Sequence, residues 1–267
     1  MTEPPRRTIA LRLLSADALR GAFAAAVLAG LTACTSTPPS DFASDKSARI
    51  PRGEIKSVGL AINCGSTLRR DHYDLAYPIN SIRENLPIPD WKLTTIVHQE
   101  VEAALPDARI GDLEVDLLKL VMADALQTNP FAAEYKDYTR AFSGDIESYD
   151  YLLAIIPGPA GSKDSVYFGT GLRSRRGPTL LGIEASVGPL EVHAVCRALL
   201  YDRRSGAVRR AEGFTHERLP TDIPATSPLA NYPPETVARF RAPLDRMVRR
   251  TAAEIMTQLV VAPEVAR

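Results

Sequence analysis

The sequence of 267 residues predicts an α/β fold, in which a mixed β-sheet packs against helices within a single domain. Short β-branched apolar runs alternate with longer segments of helical periodicity, which is typical of strands and helices that share one core. The composition is that of a globular protein, with 45% apolar and 24% charged residues. The formal net charge of zero provides no basic field that would favour nucleic acid as a partner.

Residues 1–33 predict an export leader. Four arginines precede an apolar run over residues 21–31, and the small residues Thr32 and Ala33 then lead to Cys34. This order is typical of a secretory signal peptide. The apolar run is only about half of the ~20 residues needed to cross a bilayer, so a spanning helix is not expected.

Leu31-Thr32-Ala33-Cys34 resembles the lipobox of bacterial lipoproteins, Leu-x-(Ala/Gly)-Cys. The resemblance implies that Cys34 is the lipidation site and that its fatty chains anchor the protein in a lipid bilayer, each methylene contributing roughly 0.8 kcal/mol. It also implies a location in the cell envelope, facing the periplasm. Thr35 stands where inner-membrane lipoproteins of enteric bacteria carry Asp, which favours the outer membrane. An ordinary cleaved signal and an apolar core helix ending in cysteine are the alternatives.

Residues 34–53 predict a flexible tether, because they are polar, contain prolines and lack periodicity. The α/β domain is predicted over residues 54–262. Its first element is a buried strand over residues 55–64. Residues 66–89 are polar and irregular, and part of them is compatible with a hairpin.

Two helices follow in the prediction. The first runs from Asp90, a suitable N-cap, to Leu105, and the second covers residues 112–127. A buried strand is expected over residues 149–156, and the segment between the second helix and this strand is ambiguous.

The second half of the domain is predicted to be mainly β-structure. Residues 165–171 and 179–185 suggest the arms of a hairpin with residues 173–177 at its tip. Residues 190–201 and 207–214 predict a pair of strands, joined by a polar turn that contains glycine. The final helix is expected over residues 234–260, where an apolar stripe recurs at helical spacing and Pro243 is expected to kink or restart it.

The strand Tyr-Asp-Tyr-Leu-Leu-Ala-Ile at residues 149–155 and the hairpin Leu-Leu-Tyr-Asp-Arg-Arg-Ser-Gly at residues 199–206 resemble periplasmic accessory domains. The domain is similar in this respect to the TolB N-terminal domain, the curli-secretion lipoprotein and the lipoproteins that activate penicillin-binding proteins. The resemblance implies a binding or scaffolding role and supplies no functional residues.

Cys64 and Cys196 remain once Cys34 is assigned to lipid. An oxidising periplasm favours a disulfide between them, provided that the strand order brings their Cα atoms within about 7 Å. Two separate buried thiols are the alternative.

Arg173, Arg175 and Arg176 are the candidate partner-binding residues. Three guanidinium groups on a hairpin tip suit a carboxylate, a phosphate or an acidic protein surface. A solvated loop that keeps a sheet edge soluble is the alternative. The four histidines are scattered without metal-ligand spacing, so we expect no metal. The sequence has no nucleophile motif of the GxSxG or SxxK type and no phosphate-binding glycine loop, so we expect no catalytic residues and no cofactor.

These features predict a membrane-anchored binding or assembly module rather than an enzyme. Its expected partner is another envelope protein or the cell wall. The alternative is an envelope hydrolase, with an active site assembled from residues 66–89 and the arginine hairpin.

Overall fold

The computed structural model describes residues 49–75, 81–126, 137–160, 167–176, 187–223, 225 and 227–261. The predicted leader, the lipobox with Cys34 and most of the predicted tether lie outside these residues. The helices within them are α1 (Leu93–Ala104), α2 (Leu117–Ala125) and α3 (Pro234–Leu259). The strands are β1 (Ile50–Pro51), β2 (Ser57–Ile62), β3 (Thr67–Asp74), β4 (Ile82–Pro87), β5 (Arg109–Asp112), β6 (Glu114–Val115), β7 (Phe142–Ser143), β8 (Tyr151–Pro157), β9 (Pro159–Ala160), β10 (Tyr167–Phe168), β11 (Thr170–Arg176), β12 (Glu191–Asp202), β13 (Val208–Arg218) and β14 (Val260–Val261).

An eight-stranded mixed sheet confirms the predicted fold class. Its order is β4-β3-β11-β12-β8-β2-β5, and β13 pairs with β12. The long strand β12 is antiparallel to β13 along nearly its whole length, and it also pairs with β11 in its first part and with β8 in its second. Because β8 and β11 are both antiparallel to β12, they run in the same direction, one after the other, along it.

Helices α1 and α3 cover one face of this sheet. Helix α3 packs against α1, β12 and β13. Its buried stripe includes Phe240, Leu244 and Met247, and Pro243 lies inside the continuous helix. The stripe follows the predicted spacing of 3.6 residues per turn, so burial of this face orients the helix on the sheet.

The opposite face of the sheet is divided. Around β2 and β8 it is covered by an apolar cluster that includes Leu120 of α2, Tyr138 and Phe142. Around β3, β4 and β11 it carries charged side chains, described below. Among the described residues, no helix combines the length and the apolar content needed to cross a bilayer.

The predicted hairpin around residues 173–177 is wrong. Thr170–Arg176 forms the single strand β11, which lies between β3 and β12 inside the sheet. Side chains alternate along the strand, so Leu172, Ser174 and Arg176 lie on the helix-covered face and Arg173 and Arg175 lie on the other. The closely spaced arginines suggested an exposed turn, but a strand with one polar face contains polar residues at the same spacing. The predicted second arm, residues 179–185, lies outside the described residues.

Three other boundaries differ from the predictions. Residues 66–89 contain a regular hairpin, β3–β4, where the sequence suggested mostly irregular chain. Helix α2 begins only at Leu117, because the Asp116 side chain accepts from the amides of Leu118 and Lys119 and caps the helix. Ile50, assigned to the tether, is buried and pairs with Val260.

Candidate binding surface

Four arginines on neighbouring strands form a patch that we call the arginine surface: Arg69 on β3, Arg83 on β4, and Arg173 and Arg175 on β11. Asp71 of β3 lies opposite Arg173 on one side and opposite Arg83 on the other. Residues opposite one another in a sheet present their side chains on the same face. Asp71 is the one acidic residue that these three strands place on this face, and Glu191 of β12 lies opposite Arg173. Four arginines therefore share the patch with two carboxylates, and it carries excess positive charge.

Arg173 lies at the centre of the arginine surface and is only 5% exposed. Its guanidinium carbon is 4.3 Å from the ring centroid of Tyr167 and 5.2 Å from that of Tyr73. These distances are typical of cation–π contacts, which partly compensate for the lost hydration. The Nη1 atom is buried and has no hydrogen-bond partner. A buried charged donor without an acceptor is costly, so this atom is suited to an incoming oxygen ligand.

The carboxylate of Asp71 is bound by other arginines. Its Oδ2 accepts a hydrogen bond from Arg69 Nε at 2.7 Å, and its Oδ1 is 3.5 Å from Arg83 Nε. A hydrogen bond with Tyr73, followed by the charges of Tyr73 and Asp71, raises the pKa of Arg83. Asp71 therefore orients the arginines that flank Arg173.

A histidine and a glycine lie beside Arg173 on the same face. His193 of β12 lies opposite Gly171 of β11, and a Cβ on Gly171 would lie 2.9 Å from the imidazole and 2.4 Å from the Arg69 carbonyl oxygen. Complete burial lowers the pKa of His193 to about 3, so the imidazole is neutral. Tyr167 packs edge-on against this ring, and its hydroxyl donates to Glu191 at 2.8 Å.

A small pocket of about 70 Å³ adjoins the arginine surface where β8 ends and β11 begins. Arg69, Asn85, Thr67 and Phe168 contribute to its lining. The guanidinium of Arg69 lies 5.2 Å from the ring centroid of Phe168. The surface therefore has a recess beside Arg69 that could admit a small polar group.

The structure separates the three arginines predicted to act together. Arg173 and Arg175 belong to the arginine surface. Arg176 lies on the opposite face, with its Nη1 atom 3.7 Å from Oδ2 of Asp74. Arg173 is buried rather than at an exposed tip, and Arg175 is exposed. The alternation of side chains along β11 places neighbouring arginines on opposite faces.

Arg70 was missed by the sequence analysis because it lies in a segment that was expected to be mostly irregular. It is fully buried on the helix-covered face and donates to the carbonyl oxygens of Ala225 and Asp71 and to the hydroxyl of Ser174. Ser174 Oγ is also 2.8 Å from His72 Nδ1. Burial, followed by the charge of Arg70, lowers the pKa of His72. This network fixes Ala225 to the sheet, so its role is structural.

The two remaining cysteines form a disulfide. Cys64 follows β2, Cys196 lies within β12, and their Cα atoms are 6.0 Å apart. Both residues are buried. Within the part of the chain that the structure describes, no cluster of three or more histidine, cysteine, aspartate or glutamate side chains is placed to hold a metal ion.

No protein-family model matches this chain, and no curated protein matches it either. Several solved structures are similar to it. The PelC dodecamer from Paraburkholderia phytofirmans is 10% identical, with a TM-score of 0.28 and coverage of 80% of this chain and 93% of that chain. Lipoprotein GNA1162 from Neisseria meningitidis is 9% identical, with a TM-score of 0.24 and coverage of 72% and 97%. Likenesses this distant carry no argument about function, and the resemblance to periplasmic accessory domains stays a prediction.

Proposed function

We propose that this chain is a lipid-anchored protein of the bacterial cell envelope that binds another envelope component and has no catalytic activity of its own. The pairing of its cysteines carries the proposal. Cys64 and Cys196 are joined to each other, which leaves Cys34, at the end of the lipobox-like sequence, as the thiol for lipid. A buried structural disulfide also fits an oxidising compartment such as the periplasm.

The arginine surface is the proposed binding site. Guanidinium groups bind carboxylates and phosphates through paired, charge-assisted hydrogen bonds. Arg83 and Arg175 are exposed at the surface, and Arg173 has an unused donor beneath them. We propose that the partner presents carboxylates, either on an acidic envelope protein or on the peptides of the cell wall.

Mass spectrometry of the full chain made in a bacterial host tests the anchor. We expect the chain to begin at Cys34 and to carry acyl chains, and to float with membranes in a density gradient. The Cys34→Ser variant is the matched control and should keep its leader or appear unanchored. A wild-type chain with a bare Cys34 thiol would contradict the proposal.

Charge reversal tests the binding site. The full acylated chain, extracted in mild detergent, should retain an envelope protein or cell-wall fragment that the Arg83→Glu/Arg175→Glu variant does not retain. Arg250→Glu, an exposed charge reversal on α3, is the matched control and should retain the same partner as the wild type. Equal retention by both variants would place the binding site elsewhere.

The alternative, an envelope hydrolase, is favoured by one observation. The two segments proposed for its active site are neighbouring strands, and Asp71 lies opposite Arg173. Turnover of a model ester or peptide by the purified chain, lost on Asp71→Asn substitution, would favour the hydrolase over the binding module.

A further inference from the structure

Helix α2 exposes an apolar stripe to solvent. Leu118 is 70% exposed, Val121 52% and Met122 38%. Together with the exposed Ala125 they occupy positions i, i+3, i+4 and i+7, which is one face of a helix. Lys119 is the one charged residue among the exposed positions of α2. Surface helices of soluble domains normally present polar residues there, so this face is suited to an apolar surrounding.

The opposite face of α2 is fixed to the domain. Leu120 and Ala123 are buried in the cluster that covers β2 and β8. At the end of the helix Asp124 accepts hydrogen bonds from Tyr138, at 2.8 Å, and from Arg210 of β13. The helix therefore cannot turn its outward stripe into the core without breaking a packed cluster and a partly buried ion pair.

Direct contacts through β13 connect the start of the domain to α2, although Ile50 packs in the cluster on the α1 and α3 face and α2 covers the other face. Ile50 of β1 pairs with Val260, which directly follows α3. In the last turn of α3, the side chain of Gln258 binds both main-chain groups of Glu212 in β13. Two residues earlier in the same strand, Arg210 binds Asp124 of α2. A short series of direct contacts thus links the start of the domain to α2.

We propose that the apolar stripe of α2 lies in the membrane interface, against the bilayer that holds the lipid anchor. The inference rests on the proposed function, because the proposed lipid anchor is what brings the domain to a bilayer. The sequence predicts a flexible tether between Cys34 and β1, and a flexible chain of about 15 residues spans about 20 Å on average. A tether of this length would keep the whole domain, α2 included, within reach of the bilayer surface.

The chemistry of the stripe favours lipid as the occupant. An amphipathic helix at an interface inserts its apolar side chains about 5–10 Å, to the boundary between headgroups and acyl chains. Lysine at such a position extends its ammonium group to the headgroups while its methylenes stay in the apolar layer. Leucine, valine and methionine beside a single lysine match that environment.

Fluorescence depth measurement tests the contact on the full acylated chain. The acylated and disulfide-bonded native cysteines leave an introduced cysteine as the reactive thiol. We would label Leu118→Cys with an environment-sensitive dye in phosphatidylethanolamine/phosphatidylglycerol vesicles that contain nitroxide-labelled lipid. The matched control is Ala103→Cys, an exposed position of α1 on the opposite side of the sheet. We expect a blue shift and nitroxide quenching at position 118, and neither at position 103.

The outcomes separate this contact from the anchor. A chain that floats with vesicles but shows equal quenching at the two positions would overturn the membrane contact alone. A blue shift at position 118 without nitroxide quenching would mean that protein, such as a second copy, covers the stripe, and would also overturn it. A chain that does not float would overturn the lipid anchor, and the membrane contact with it.

Discussion

Arg173 and Asp71 face each other across strands β11 and β3, yet they are not joined by a close ion pair. The Asp71 carboxylate instead accepts from Arg69 at 2.7 Å, and Arg173 Nη1 has no hydrogen-bond partner. The Arg173 guanidinium lies between the rings of Tyr73 and Tyr167. A buried cation held by aromatic rings rather than by a carboxylate keeps a donor for a ligand.

Replacing Arg173 by methionine should change stability little. The substitution removes cation–π contacts that stabilise the fold by about 1–2 kcal/mol. It also removes a buried donor that has no acceptor, and burying such a donor costs about 1–3 kcal/mol. The free energy of unfolding, measured in urea, should therefore change by no more than about 2 kcal/mol, the largest difference between these two ranges. Binding of the partner should be lost.

Arg70→Met is the matched control, since Arg70 is also a buried arginine of the same sheet. It should destabilise the fold by about 3–5 kcal/mol, because several buried acceptors lose their donor. Similar losses of stability in the two variants would show that Arg173 is structural as well.

Gly171→Ala should destabilise the domain by about 1–3 kcal/mol, because it overpacks a closed site. The added Cβ would lie 2.4 Å from the Arg69 carbonyl oxygen and 2.9 Å from the His193 ring. Thermal unfolding measures the effect. Gly53→Ala is the control, since a Cβ there meets nothing within 4 Å, and the change should stay within about 0.5 kcal/mol. Equal melting temperatures for the two variants would contradict the tight approach of β3, β11 and β12.

Local chemistry explains why the β12–β13 pair was predictable. Asp202 Oδ1 accepts from the amides of Arg204 and Ser205, and Gly206 has a φ of 73°, so the turn is encoded within five residues. The preceding strand β12 carries a largely apolar run that only Arg197 interrupts between Ala194 and Tyr201. The final helix was equally predictable, because its stripe persists over many turns.

The arginine surface depends on contacts that no local pattern contains. Arg173 meets Asp71 and Tyr73 only because β11 lies parallel to β3, which is remote in sequence. Arg70 finds its acceptors more than a hundred residues away, at Ser174 and Ala225. Charged side chains of this kind are expected at the surface unless the partners that permit their burial are known.

Removing the disulfide should reduce stability by about 4–5 kcal/mol in the chain-entropy description, because the loop it closes is long. Cys64 and Cys196 are 132 residues apart in sequence. The Cys64→Ala/Cys196→Ala variant and the wild type treated with reductant should both unfold at lower urea concentration than the oxidised wild type. Reductant should have no further effect on the double variant. If reductant destabilised both proteins alike, the loss would not come from this disulfide.

Stability should fall as the pH decreases below neutrality, because His193 resists protonation in the folded state. Burial lowers its pKa to about 3 from an ordinary value of 6.5. Below pH 6.5 the unfolded chain binds a proton at this histidine that the folded chain excludes. The stability that the neutral imidazole contributes is therefore fully present above pH 6.5, and it decreases by about 1.4 kcal/mol per pH unit towards pH 3. His72, whose pKa burial also lowers, adds to the trend.

His193→Gln should therefore show a shallower decline in unfolding free energy between pH 6.5 and 4, measured in urea. Parallel profiles for the wild type and His193→Gln would mean that the imidazole can be protonated within the folded sheet.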